Sequence, residues 1–286
     1  MKTKLLALLG AAMLLVSTSC SNKYEDNTIT QQSVTNCPTY YTNIATSELK
    51  SGSTSYLIEL NWTKALADIT ITNLTLPDGT SYPALSVKGL GFKLNESGEC
   101  VVTATSVQSE ITGFSNAPLV NDFKCTIVNR AIGSEYVPGF SISFNIGSFS
   151  VFATQAAHYF FGTTTSTSES NEKYTDNSVA YTYAISKELN TVTLVMSGAR
   201  FVKDMPAMDI TLENLPLTVE GTTFRIIAPS VTPSINGTPF PAFPITNFSA
   251  YLDPTKGSNI SFTCEPATMP GKYSVVAVTT LFGTQE

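Results

Sequence analysis

The chain has 286 residues, of which 13% are charged, with a formal net charge of −6 and a pI near 4.9. An acidic chain without a Lys/Arg cluster lacks the basic footprint that phosphate contacts need, which argues against nucleic acid as a partner. Val, Ile, Thr, Tyr and Phe recur in short bursts broken by Gly, Pro, Asn and Asp, a composition that favours strands over helices.

The N-terminal "MKTKLLALLGAAMLLVSTSC" sets Lys2 and Lys4 before an apolar run from Leu5 to Val16, followed by small residues. The run is short for a membrane span and has the order of an export signal. Ser17-Thr18-Ser19-Cys20 resembles a bacterial lipobox, with Ser17 where Leu is usual, a relaxation similar to that of Bacteroidota envelope lipoproteins. The resemblance implies a signal peptide over 1–19, diacylglycerol on the Cys20 sulfur and a polar tether over 20–36. Its implied partner is the membrane, reached through the anchor, and its implied location is the bacterial outer membrane, on the periplasmic or the outer face. An ordinary cleaved signal with an incidental cysteine is the competing reading.

In the middle of the chain "SYLIELNW", "DITITNLTL", "CVVTATSV", "DFKCTIV", "GFSISFNI" and "HYFFGT" read as strands. "DITITNLTL" (Asp68–Leu76) returns 141 positions later as "DITLENLPL" (Asp209–Leu217), and "GFSISFN" (Gly139–Asn145) returns as "GSNISFT" (Gly257–Thr263). The matched segments keep their order, the mark of a duplicated unit. In each copy the apolar phase flips at an Asn: Ile69 and Ile71 precede Asn73 and Leu74 and Leu76 follow it, while Ile210 and Leu212 precede Asn214 and Leu215 and Leu217 follow it. A β-bulge at Asn73 and at Asn214 would restore burial on one face.

Between the copies, nine of the sixteen residues from Thr163 to Ser178 are Ser or Thr, and Ile, Leu, Val, Phe and Met are missing, so the stretch reads as a linker or a long loop. The expectation is an all-β fold of two tandem antiparallel domains over 37–162 and 179–286, each a curved-sheet barrel or sandwich with at most one short helix. Two halves of one continuous β structure remain the alternative. "RFVKDMPAMD" (Arg200–Asp209) is where a short helix would fit, and the proline-rich "TPSINGTPFPAFP" reads as a long hairpin loop turning at Asn236-Gly237.

Chemistry is sparse. The single histidine, His158, cannot build a His-based triad or a multi-His metal site, and G-x-S-x-G, P-loop and H-E-x-x-H patterns are missing. Asp68 and Asp209 recur in both copies, yet an Asp at a strand start usually serves a turn, and Asp204 near Asp209 has no further support as a carboxylate pair. No cofactor or metal is implied. Cys37, Cys100, Cys125 and Cys264 would allow three connectivities in an exported chain. A cross-strand disulfide between Cys100 and Cys125 is one reading and buried free thiols the other. Trp62, Tyr40 and Tyr41 read as core or strand-edge residues before glycan platforms.

The tandem pattern "MPAMDITLENLPL … GTPFPAFPITNFSAYL … SFTC … VVAVTTLFG" looks like uncharacterised Bacteroidota envelope lipoproteins with calycin-like or lipid-binding-protein-like β domains. That resemblance implies an antiparallel barrel or strongly curved sheet with an apolar interior, and it transfers no catalytic residue. The function expected is a non-enzymatic envelope lipoprotein binding an apolar or amphiphilic, lipid-like ligand. The alternatives are a surface glycan-binding or adhesive module and a fimbria-like structural subunit.

Overall fold

A computed structural model of the chain describes residues 28–95, 98–111, 116–132, 135–155, 158–265 and 271–281. Cys20, the export signal and the first part of the tether lie outside the described residues. The described residues are strands and turns throughout, in two compact units that divide mainly at residues 156 and 157.

The first unit is a closed ring of β1 (Ile29–Asn43), β2 (Leu49–Asn61), β3 (Leu66–Thr75), β4 (Ser81–Leu94), β5 (Cys100–Gln108), β6 (Leu119–Ile132), β7 (Glu135–Ile146) and β8 (Phe149–Thr154). Each strand pairs with its neighbours in sequence, and β1 closes on β8 with Thr39 opposite Ala153 and Asn43 opposite Phe149. This up-and-down barrel removes the sheet edges that an open meander would expose.

The second unit contains β9 (His158–Ser168), β10 (Lys173–Asp176), β11 (Ala180–Ile185), β12 (Thr191–Ala199), β13 (Met208–Glu220), β14 (Thr223–Val231), β15 (Ser234–Ile235), β16 (Thr238–Pro239), β17 (Ile245–Asp253), β18 (Gly257–Cys264) and β19 (Tyr273–Leu281). Eight of them, all but β10, β15 and β16, follow one another round a second ring, closed where β19 pairs with β9. β10 adds to β9, and the short β15–β16 hairpin adds to β13, with Asn236 and Gly237 both at positive φ in its turn.

Alternation sets inside from outside. Ile69, Ile71, Leu85, Val87 and Val102 are buried in the first barrel, while Thr103 and Lys124 face out. In the second, Ile226, Ala250, Ile260 and Ala277 are buried, while Arg225, Asn259 and Ser261 face out. This is the reverse of a membrane-spanning barrel, whose apolar face is turned to lipid. No helix of the described residues is long and apolar enough to cross a membrane.

Several expectations need correction. Residues 29–36 are no tether: they open β1, with Trp62 N–H donating to the Thr28 carbonyl at 3.0 Å and Gln31 donating to Glu59 across the β1–β2 ladder at 2.5 Å. The stretch 163–178 is no linker, because Thr163–Ser168 pair with β19 and Thr164–Thr167 pair also with β10 in the second unit. A chain of Ser and Thr can build a wall strand because alternate hydroxyls find partners: inward Thr164 meets the Tyr181 hydroxyl at 2.6 Å, and inward Ser166 donates to the Phe201 carbonyl. The first domain therefore ends before β9, and "HYFFGT" belongs to the second. Residues 201–205 form turns, with no helix over Arg200–Asp209.

The phase flips are present. Asn73 has φ 60° and Asn214 φ 53°, and the buried residues change parity at each. The repeated tract nevertheless lies on the third strand of the first ring (β3) and on the fourth of the second (β13), whereas the "GFSISFN" and "GSNISFT" tracts lie on the seventh of each. The two barrels share strand number and connectivity, but the opening pair of matched tracts is not a pair of equivalent strands.

Candidate functional site

A ligand cavity in barrels of this kind would sit in the lumen. Eight-stranded barrels are just wide enough either to be filled by side chains or to hold one small ligand. Here bulky rings from elements distant in the ring order meet inside each barrel. Tyr56 on β2 packs against Phe140 on β7 with centroids 5.2 Å apart, and Phe201 meets Phe262 on β18 at 5.6 Å. The Tyr183 hydroxyl on β11 reaches across to Ser258 on β18 at 2.9 Å, and Ser258 in turn meets Thr279 at 2.7 Å. These side chains are buried, and burying each large ring contributes roughly 1.5–3 kcal/mol. The interiors are therefore packed cores.

The duplicated carboxylates serve the walls. Asp68 Oδ1 accepts the Gly89 N–H at 2.7 Å, where the β3–β4 register slips by one residue between Ala67 and Ile69. Asp209 Oδ1 accepts the Gly198 N–H at 3.0 Å, where the β12–β13 register slips between Met196 and Ala199. Gly89 and Gly198 have φ of 66° and 69°, which a residue with a Cβ adopts only at a cost. Each Asp thus caps a glycine bulge on a neighbouring strand. Asp204 lies in the 201–205 turns and is not paired with Asp209.

Cys37, Cys100, Cys125 and Cys264 are buried free thiols. The register sets Cys100 opposite Ile127 and Cys125 opposite Val102, so the expected disulfide pair are diagonal neighbours with no S–S bond between them. Burial pushes the Cys37 and Cys264 thiols up to about 12 and Cys100 to about 11, and Cys125 higher still. His158 opens β9 opposite Tyr183. Tyr40 and Tyr41 are buried, and Trp62 packs edge-on against Phe92 at 5.1 Å while its indole N–H donates to Thr30 at 2.8 Å. Trp62 is half-buried.

An open cleft of about 430 Å³ lies in the wall of the first barrel. It is lined by Tyr41, Lys50, Ser51, Gly52, Ser53, Asn73, Thr75 and Pro77. Its origin lies in the sequence. The β2–β3 ladder runs from Asn61 opposite Leu66 to Ser55 opposite Thr72 and stops there. At Asn73 the left-handed backbone turns β3 away, and Leu74 and Thr75 continue with β4 alone, opposite Tyr82 and Ser81. Beyond that point β2 and β3 part. The Tyr41 ring lies over Gly52, where a Cβ would come within 2.9 Å of the ring, and its hydroxyl meets Thr54 at 3.2 Å. The lining is hydroxyl, amide and backbone with one lysine, a set that recognises hydrogen-bonding groups. The polar run "KSGSTS" (Lys50–Ser55) carries the signal for this cleft, together with the phase flip at Asn73. Neither element alone tells which strand edges they bring together.

No family model matches the chain. No curated protein matches it either. Among solved structures it is similar to a candidate outer membrane protein of Bacteroides fragilis, 15% identical over 87% of this chain and 96% of that one, with a TM-score of 0.37. Paths that diverge that far carry nothing about function from one protein to the other.

Proposed function

We propose that this chain is a non-enzymatic, lipid-anchored protein of the bacterial outer membrane that works through the outer surfaces of two packed barrels, as an adhesive or assembly module. The observation that carries the reading is the contact of rings across each lumen, Tyr56 with Phe140 and Phe201 with Phe262, which leaves the interiors to the protein's own side chains. The eight-stranded up-and-down order supports calycin-like architecture. A filled interior speaks against the carrier role that such barrels often serve, and in favour of recognition at the wall. The anchor rests on Lys2, Lys4, the apolar run and Cys20 in the sequence. Tandem modules on a fatty tether suit multivalent capture.

Native mass spectrometry of the protein purified from membranes tests the carrier question. A mass equal to the polypeptide plus its acyl modification is expected, and a co-purifying amphiphile at one per chain would overturn the surface reading. Labelling with a palmitate analogue tests the anchor: label should vanish in Cys20→Ala, and equal label in both proteins would end that claim.

A further inference from the structure

We propose that the cleft between β2 and β3 is an acceptor for an extended, uncharged peptide segment of a partner protein, bound by strand addition; the inference rests on the surface-acting reading above and names the partner class. The first ground is the geometry of the parting. The β3 ladder no longer reaches Gly52 and Ser53 on β2, and Asn73, Thr75 and Pro77 stand on the other side of the same cleft. Two strand edges that diverge within one wall offer backbone groups to a third chain, the mode in which main-chain hydrogen bonds supply affinity.

The second ground is that the second barrel fills a parting of the same kind with a segment of its own. There β13 pairs with β14 only over Leu217–Glu220. Its earlier half is covered by the β15–β16 hairpin, with Ile210 opposite Ile235 and Thr211 opposite Ser234. Asn236 N–H donates to the Asp209 carbonyl at 2.8 Å, and Phe243, four residues past the hairpin, is buried against Phe201 at 6.2 Å. The segment that does this, "TPSINGTPFPAFP", carries no charge. The first barrel's cleft has Lys50 as the single charged residue of its lining, and its volume of about 430 Å³ lies at the small end of ligand sites.

The test uses the full mature chain and two variants that place a bulky cation in the cleft mouth, Ser53→Arg and Thr75→Arg, both at exposed positions. A displayed library of random twelve-residue peptides is selected on wild type. Enriched peptides are expected to bind at least tenfold more weakly to each variant and to slow amide exchange at Gly52 and Ser53. If no peptide is enriched, or enriched peptides bind the variants equally, the proposal is overturned. It is equally overturned if an oligosaccharide array gives Ser53-dependent binding while the peptides give none, which would assign the cleft to glycans. Circular dichroism of both variants should match wild type. A co-purified lipid would overturn the surface-acting reading without altering these peptide results, so the two failures are distinguishable.

Discussion

Asp68 and Gly89 face each other across the β3–β4 ladder, the carboxylate accepting the glycine N–H at 2.7 Å where β4 carries one residue too many. Asp68→Ala should destabilise the first barrel by about 1 kcal/mol, the usual net worth of a hydrogen bond to a charged group that is partly solvated. Gly89→Ala should cost about 1–2 kcal/mol because its φ of 66° is left-handed. Urea unfolding of the single and double variants checks both. A double variant that shows plain additivity would mean that the carboxylate does not hold the bulge.

Asp176 is buried at the end of β10, accepting from the Ser178 hydroxyl at 2.5 Å and the Ser178 N–H at 2.8 Å, with Arg200 Nε at 3.3 Å. Burial alone would push its carboxyl up, but the Ser178 hydrogen bonds and the Arg200 charge outweigh that and hold it below the usual range. A lowered folded-state pKa gives stability that is complete above the unfolded value of about 4 and is lost as pH falls through the folded value. Asp176→Asn should cost about 1–3 kcal/mol at pH 7 and flatten the loss of stability below about pH 4. Identical pH profiles of thermal unfolding would refute the role.

Two buried tyrosines should respond unequally to removal of their hydroxyls. Tyr183 donates to Ser258 at 2.9 Å, so Tyr183→Phe should cost about 1 kcal/mol. The Tyr56 hydroxyl is buried beside Thr39 and Thr54 without a well-aligned hydrogen bond to either, so Tyr56→Phe should cost less than Tyr183→Phe and lie within about 1 kcal/mol of neutral. Chemical denaturation of the pair compares them directly, and an equal loss in both would be contrary to the structure.

The four thiols should resist reagents at neutral pH, since burial raises every one of them above its ordinary value. Labelling by a maleimide is expected only in denaturant, at Cys37, Cys100, Cys125 and Cys264 alike. Melting curves with and without reductant should coincide. A reductant-dependent shift would show a disulfide, most simply between Cys100 and Cys125.

Truncating a ring that spans the lumen should be severe. Phe201 and Phe262 are both buried and meet at 5.6 Å, so Phe201→Ala should cost about 3–5 kcal/mol. A cost below about 1 kcal/mol would show that the lumen collapses easily and was never tightly filled.

The sequence by itself determined the local geometry. Period-two alternation gave the strands, and a change of parity at Asn73 and Asn214 gave the two left-handed kinks, because both signals are carried by neighbours along the chain. It misled where composition stood in for burial: Thr164 and Ser166 look like linker residues until Tyr181 and the Phe201 carbonyl come to meet their hydroxyls. Tertiary structure alone decided which strands lie side by side. Asp68 bonds the strand that follows it and Asp209 the strand that precedes it, although the two tracts read almost alike. Strand pairing is a hydrogen-bonded contact between distant residues, so one local code can serve either neighbour, and only closure of the ring fixes which.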